Sequence, residues 1–136
     1  MNAINTAIYS TLTGDATLMT LLASNTSVYH LHAPNGASLP YIMFNLQAGT
    51  EINDTAHTVN DMLYQVRGFT DVSMKNAKAI DARIYTLLHR TAISITGYSL
   101  LKINRVTVLE FIEDEPNTQP VYSAGGIYRL RIEKTS

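Results

Sequence analysis

The hydrophobic positions near the start of the chain follow a helical period. Residues 2–12 carry apolar side chains three and four positions apart, which predicts a helix with one buried stripe. Thr13-Gly14 ends this helix, and Asp15 is placed as the N-cap of a second, short helix that stops at Ser24-Asn25. The apolar positions of the two helices are Ile4, Ala7, Ile8 and Leu12, then Leu18, Met19, Leu21 and Leu22. This pattern predicts a helical hairpin at the N-terminus.

The longest helical pattern lies in the middle of the chain, over residues 74–90, with Asp71 or Ser73 as its N-cap. Its apolar stripe is Ala77, Ile80, Ile84, Leu87 and Leu88, and its charged residues Lys75, Lys78, Asp81 and Arg83 are predicted to lie off that stripe. His89 and Arg90 stand at its C-terminal end, where positive charge suits the helix dipole.

Segments with a period of two predict the strands. They cover residues 28–33, 41–48, 62–70, 100–112 and 127–133, with a short further candidate at 93–95. Leu39-Pro40-Tyr41 reads as the entry to the second strand, because proline biases the preceding residue toward extended geometry. Gly125-Gly126 is expected to be a turn or bulge that leads into the last strand.

Two polar segments interrupt these patterns. Residues 49–60 show no lasting period and are interpreted as a long excursion, either a flexible loop or the arm of a hairpin. Residues 113–120 are acidic and contain two prolines, which predicts a loop.

The order of elements favours one α+β domain over residues 1–136. Helices occur at two places rather than between every pair of strands. A mainly antiparallel sheet with helices packed on one face is therefore expected.

Composition adds an indication of assembly. The chain has 136 residues, 46% of them hydrophobic, which suffices for a core without disulfides or metal. Charged residues make up only 15%, against about 25% in ordinary soluble domains. Polar and apolar surface takes their place, and such a surface favours burial against partner subunits.

Charge and cysteine content exclude several classes. The formal charge of −1 provides no basic field for holding nucleic acid, and the absence of cysteine removes disulfides, thiolate metal sites and thiol catalysis. The first twelve residues do not resemble a signal peptide, and no apolar run approaches the roughly 20 residues that span a bilayer. A soluble protein without a cleavable signal or a membrane partner is expected.

Histidines provide one candidate for chemistry. His30 and His32 would share a face of the first strand, and His57 would have to supply a third metal ligand. The alternative is a pair of solvent-facing or interface histidines on an edge strand, and this alternative is favoured because no other ligand pair has matching spacing.

Other constellations are weaker. The carboxylates Glu110, Glu113, Asp114 and Glu115 are interpreted as a solvated turn rather than an acid/base or metal cluster. The sequence has no nucleophile elbow and no phosphate-binding glycine motif. We therefore expect no catalytic residue, no metal, no cofactor and no enzyme activity.

In its first third and around residues 74–88 the sequence resembles the tail terminator, or tail-completion, family of long-tailed bacteriophages. This family includes the tail-to-head joining proteins of siphophages. The resemblance rests on an L…D..L..L segment, on Val28-Tyr29 and on Pro40-Tyr41 opening the next strand. The residues of the L…D..L..L segment are Leu12, Asp15, Leu18 and Leu21. The order of elements agrees over nearly the whole chain, whereas Arg67-Gly68-Phe69-Thr70 departs from the aromatic-Ser ending of the family's third strand.

The resemblance implies a structural subunit that forms a hexameric ring on the end of the tail tube. Such a ring ends tube polymerisation, docks to the head-side connector or stopper protein, and leaves a lumen through which DNA passes without specific binding. The implied location is the head–tail junction of the virion, with assembly in the host cytoplasm. Alternatives are a head-side connector or stopper ring, or a small metal-dependent enzyme domain built on the three histidines.

Interface residues are predicted in the two polar segments, residues 49–60 and 113–119, as contacts to neighbouring subunits or to the tube. The candidates are Glu51, Asn53, Asp54 and His57 in the first segment, and Glu113, Asp114, Glu115 and Asn117 in the second.

Overall fold

The computed structural model describes residues 2–54, 57–113, 116 and 119–135, and for residues 52–54 and 57 it describes the backbone. The helices are α1 (Asn2–Thr13), α2 (Ala16–Thr20) and α3 (Met74–Leu88). The strands are β1 (Val28–His30), β2 (Tyr41–Asp54), β3 (His57–Thr70), β4 (Tyr98–Glu113) and β5 (Val121–Lys134).

The five strands form one sheet in the order β1-β2-β3-β5-β4. Each neighbouring pair is antiparallel except β1 and β2, which run parallel. The predicted α+β class, with a mainly antiparallel sheet, is confirmed.

The helices pack on one face of the sheet, as predicted, and the core lies between the two layers. Four apolar residues of α1 that were expected to form its stripe are buried, and so is Leu18 of α2. On the sheet, the core residues include Ile42, Phe44, Met62, Tyr64, Val66, Tyr128, Leu130 and Ile132. Along β3, every second residue from Met62 to Val66 is buried in this core.

Hydrogen bonds define where the helices begin and how they attach to the sheet. The Asp15 carboxylate accepts from the Leu18 N–H at 2.8 Å, and the Ser73 hydroxyl accepts from the Asn76 N–H at 3.2 Å. Both predicted caps are therefore present, with Ser73 rather than Asp71 at α3. The Tyr64 hydroxyl donates to Asn5 Oδ1 at 2.9 Å, which ties β3 to α1, and burial raises the pKa of Tyr64 to about 12.

Residues 49–54 and 57–60 of the polar segment belong to β2 and β3. β2 and β3 pair continuously out to Asp54 and His57, so the hairpin interpretation was correct and the loop interpretation was wrong. β3 in turn pairs with β5 as far as Val59. The segment looked structureless in the sequence because its side chains are mostly polar on both faces.

Two strand predictions were wrong. β1 ends at His30 because Leu31 has a left-handed backbone (φ 73°), so His32 lies outside the strand and the two histidines do not share a strand face. Residues 93–95 form no strand of their own, and Ile95 makes a single bridge to Tyr98.

Gly125 and Gly126 lie inside β5, so the predicted turn was also wrong. A Cβ on Gly125 would collide with the Val66 carbonyl oxygen and lie 2.7 Å from the Arg67 Cα. A Cβ on Gly126 would lie 2.5 Å from Arg105 Nε. Close approach of neighbouring strands, rather than turn geometry, requires glycine here.

Among the described residues, no helix combines the length and the hydropathy needed to cross a membrane.

Candidate assembly surfaces

The outer edge of β2 is unpaired over much of its length. β1 covers β2 at Ile42, Met43 and Phe44, and within the described chain no strand pairs with the outer side of residues 48–54. A bulge between Leu46 and Ala48 separates this segment, called here distal β2, from the part that β1 covers. Unpaired edges of this kind are templates for adding another strand.

The outer edge of β4, at the opposite side of the sheet, is covered over one half. The Arg90 N–H donates to the Ile103 carbonyl at 2.9 Å, and the Arg105 N–H donates to His89 Nδ1 at 3.0 Å. Closer to the start of the strand, the Tyr98 N–H donates to the Ile95 carbonyl at 3.1 Å. The connection between α3 and β4 therefore satisfies backbone groups that an edge strand would otherwise expose.

The other half of β4, residues 106–113, has no such cover in the described chain and is called here the free half of β4. Four of the ten large hydrophobic side chains that the structure shows as exposed lie in it. They are Val106, Val108, Phe111 and Ile112, with exposed fractions from 45% to 62%. Apolar side chains exposed along an unpaired edge are a feature of strands that become buried by association.

The predicted interface residues lie at separate corners of this sheet. Glu51 is exposed on distal β2, and the backbones of Asn53, Asp54 and His57 belong to the end of the β2–β3 hairpin. Glu113 is exposed at the last position of β4, at the other end of the sheet. Asp114, Glu115 and Asn117 lie outside the described residues. The described residues of the two predicted segments are not brought together within one subunit.

The sheet face away from the helices carries an aromatic cluster around Arg67. The guanidinium carbon of Arg67 lies 4.8 Å from the ring centre of Phe69 and 5.3 Å from that of Phe111. Nη1 donates to Ser123 Oγ at 3.5 Å. Desolvation lowers the pKa of Arg67, against the opposing effect of the Glu113 charge. The cluster places a stacked, half-buried cation on a face that no described helix covers.

The same face is charged at its other end. The Asp61 carboxylate lies 3.2 Å from Arg129 Nε and 3.2 Å from Arg131 Nη2. Both arginines are nearly half exposed, so the pairs hold the surface arrangement without contributing much stability.

A buried ion pair joins α3 to the covered half of β4. The Arg105 guanidinium donates twice to the Asp81 carboxylate and once, at 2.8 Å, to the Tyr128 hydroxyl. It also lies 5.0 Å from the centre of the Tyr85 ring. Asp81 is therefore buried against β4, and its prediction as a residue off the buried stripe was wrong. Only the three-dimensional position of Arg105 explains a carboxylate at that helical position.

The described residues contain no group of three His, Asp or Glu side chains that is arranged to hold a metal ion. His30 is exposed, and its ring packs on Phe44 with centres 5.3 Å apart. The side chain of His57, the third residue of the hypothetical set, is not among those described.

Comparison with known proteins identifies relatives of this architecture. A family model described as "Tail completion protein gp17" matches residues 6–121. Among solved structures, a chain of the virion of a native gene transfer agent particle superposes with a TM-score of 0.79 at 19% sequence identity. That match covers 97% of this chain and 96% of the other, and at this identity it shows a shared fold. No curated protein sequence matches the chain.

Proposed function

Because the chain belongs to the tail completion protein gp17 family, a family of structural virion proteins, we propose that it forms a hexameric ring that caps the phage tail tube. The ring ends tube polymerisation and presents the docking surface for the head-side connector. The observation that carries the proposal is the family match over residues 6–121. The described structure supports it with unpaired edges on both sides of the sheet.

Ring closure supplies the partner that these edges lack. A head-to-tail contact repeated around a rotation axis buries both edges of every subunit at once. A single subunit would leave them open to nonspecific strand pairing. Of the predicted interface segments 49–60 and 113–119, residues 49–54 lie on the outer edge of β2 and Glu113 ends β4, whereas residues 57–60 belong to β3 inside the sheet. We place the contacts to neighbouring subunits or to the tube at the eight candidate residues.

The lumen of such a ring would conduct DNA without holding it. Each copy carries a formal charge of −1, so a ring of six has no net positive charge with which to bind phosphates. The proposal assigns no catalytic residue, metal or cofactor to the chain.

The oligomeric state of the purified protein tests the ring. Light scattering after size-exclusion chromatography is expected to give a mass near six times the 15.0 kDa of one chain, either for the protein alone or for its share of a complex with tail-tube protein. A protein that stays monomeric both alone and with tube protein contradicts the proposal.

A histidine-based metal site predicts a different result. Zinc that stays bound in stoichiometric amount through dialysis, and is lost in His32→Ala, would favour the metal-dependent alternative over a purely structural role.

A further inference from the structure

We infer that distal β2 of one copy adds as an antiparallel strand to the free half of β4 of the next copy. The inference rests on the proposed ring, and it names the contact that joins its subunits. Neither segment has a strand partner on its outer side within the described chain. The two segments are similar in length, at seven and eight residues, so the outward N–H and C=O groups of one can bond to those of the other.

The register shows which backbone groups of the free half point outward. Ile103 directs its carbonyl away from β5 toward Arg90, so its pair with Leu130 is one that does not exchange hydrogen bonds. Leu130 therefore directs its N–H and C=O groups toward β3. Because β5 pairs with β3 without a shift, the other even-numbered residues of β5 do the same. The β4 residues opposite them past the bulge, Val108, Glu110 and Ile112, therefore direct their N–H and C=O groups away from the sheet.

The same reasoning applies to β2. Ile42 donates its N–H to the Ser27 carbonyl on the β1 side. Its partner Gly68 therefore directs its N–H and C=O groups toward β5, and so do the other even-numbered residues of β3. Past the β2 bulge, the residues opposite even positions are Gly49, Glu51 and Asn53. Their backbone groups point outward, and two of them are predicted interface residues.

Strand direction agrees with this pairing. β2 is antiparallel to β3, β3 to β5, and β5 to β4, so β2 and β4 run in opposite directions within one subunit. A second copy that continues the sheet in the same orientation therefore brings its β2 antiparallel to the first copy's β4. Antiparallel ladders are the slightly more stable kind.

Pairing two different edges also distinguishes a ring from a dimer. If the free half of β4 paired with the same strand of another copy, the contact would be two-fold symmetric and would close after two subunits. A contact between β4 and β2 is head-to-tail, so each added subunit offers a new β4 edge until the ring closes. As a single repeated contact, only the second arrangement builds a ring of six equivalent subunits.

The pairing requires successive copies to be offset along the strands. Thr50 of β2 pairs with Asp61 of β3, and Asp61 pairs with Arg131 of β5. Leu109 of β4 pairs with Gly125, which lies six residues from Arg131 along β5. At about 3.3 Å per residue the offset is roughly 20 Å, across the four strands from one distal β2 to the next, which span roughly 19 Å. The strands would then tilt about 46° from the ring axis, close to the roughly 35–45° that is typical of closed sheets.

Cysteine cross-linking tests the contact directly, because the chain has no cysteine of its own. Glu51→Cys or Asn53→Cys is combined with Val108→Cys or Glu110→Cys, and the assembled protein is oxidised. At least one of the four pairs is expected to yield a ladder of covalent oligomers up to the hexamer. Matched controls are each single variant, and Glu51→Cys with Ala79→Cys, which lies on the exposed side of α3; these should remain uncrosslinked.

The outcomes separate this contact from the ring itself. If light scattering shows a hexamer but none of the four pairs forms a ladder, the contact is wrong and the proposed ring stands. If Val108→Cys or Glu110→Cys alone gives covalent dimers as readily as the pairs give ladders, the β4 edges pair with each other and the inference is overturned. If no variant and no wild-type protein assembles, even with tube protein, both the ring and the contact are contradicted.

A proline substitution provides a second measurement. Val108→Pro removes an outward N–H that has no strand partner in the described chain, and edge strands tolerate proline at such positions. We expect at least tenfold weaker assembly with a monomer that still unfolds cooperatively. Val108→Thr keeps the N–H and is expected to assemble as the wild type does; equal assembly by the two variants would overturn the inference.

Discussion

Asp81 shows how far a single residue can depart from its sequence pattern. The helical period separates it from the apolar stripe of α3, yet it is buried because Arg105, far away in the sequence, reaches it from β4. No spacing rule predicts such a partner. The residues whose surroundings are local, such as the caps Asp15 and Ser73, were predictable because the hydrogen bond is to the backbone three residues on.

Removing Asp81 should strongly destabilise the subunit. Asp81→Ala leaves the Arg105 guanidinium buried without its carboxylate, which typically costs about 3–5 kcal/mol. Urea unfolding measures the loss. Lys78→Ala, which breaks the exposed pair between Lys78 and Glu110, is the matched control and should change stability by less than about 1 kcal/mol. Similar small effects of both variants would contradict the role given to the buried pair.

Asp15 makes stability depend on pH in the acidic range. The hydrogen bonds from Arg83 hold the pKa of the Asp15 carboxyl below its ordinary value, despite partial desolvation. A lowered folded-state pKa contributes stability that is complete above the unfolded value, about 3.9, and is lost as the pH falls through the folded value. Asp15→Asn preserves a good N-cap but removes the charge.

The expected result is a lower melting temperature for Asp15→Asn at pH 7, and a difference from the wild type that shrinks as the pH falls below about 3.9. Thermal unfolding followed by circular dichroism between pH 2.5 and 7 measures the difference. A difference that stays constant over this range would show that the charge of Asp15 does not stabilise the fold.

At the scale of elements, long periodic segments were predictable and polar or irregular strands were not. The apolar stripes of α1 and α3 appear in the structure with nearly the predicted bounds. Distal β2 and the start of β3 were ambiguous, because strand pairing there depends on the hairpin register rather than on a buried face. The glycine pair of β5 was misread because close packing between strands leaves no local signature in the sequence.

Gly125→Ala should destabilise the sheet through steric overlap with β3. The added methyl group collides with the Val66 carbonyl and the Arg67 backbone, and we expect a cost of roughly 2–3 kcal/mol. Gly36→Ala is the comparison, since Gly36 has φ 80° but an added Cβ there would meet no atom within 4 Å. Backbone strain alone should cost about 1 kcal/mol there. Denaturant unfolding that ranks Gly36→Ala as the more harmful variant would contradict the packing explanation.

For the whole molecule, the exposed apolar residues of β4 separate assembly from folding. Ile112 is 58% exposed, so Ile112→Lys should leave the melting temperature of the monomer within a few degrees of the wild-type value. The same charge at the edge should oppose addition of a strand and reduce the hexamer fraction measured by light scattering. Tyr9→Lys, on the exposed side of α1, is expected to assemble normally. Full assembly of Ile112→Lys would show that the free half of β4 does not belong to the interface.

The sequence alone predicted the fold class and the family, because both depend on the order of elements and on local residues such as Pro40-Tyr41. It did not predict the surfaces that an assembly protein uses. Which half of β4 is covered depends on the path of the chain after α3, and on the hydrogen bonds that His89 and Arg90 make with it.

The length of tails made without this protein tests the central claim most directly. A phage in which its gene is deleted is examined by electron microscopy, with the gene supplied in trans as the control. A ring that ends tube polymerisation predicts overlong tails without heads, and restoration of normal length by the supplied gene. Tails of normal length that fail to join heads would contradict the terminator function and would instead favour a connector or stopper on the head side.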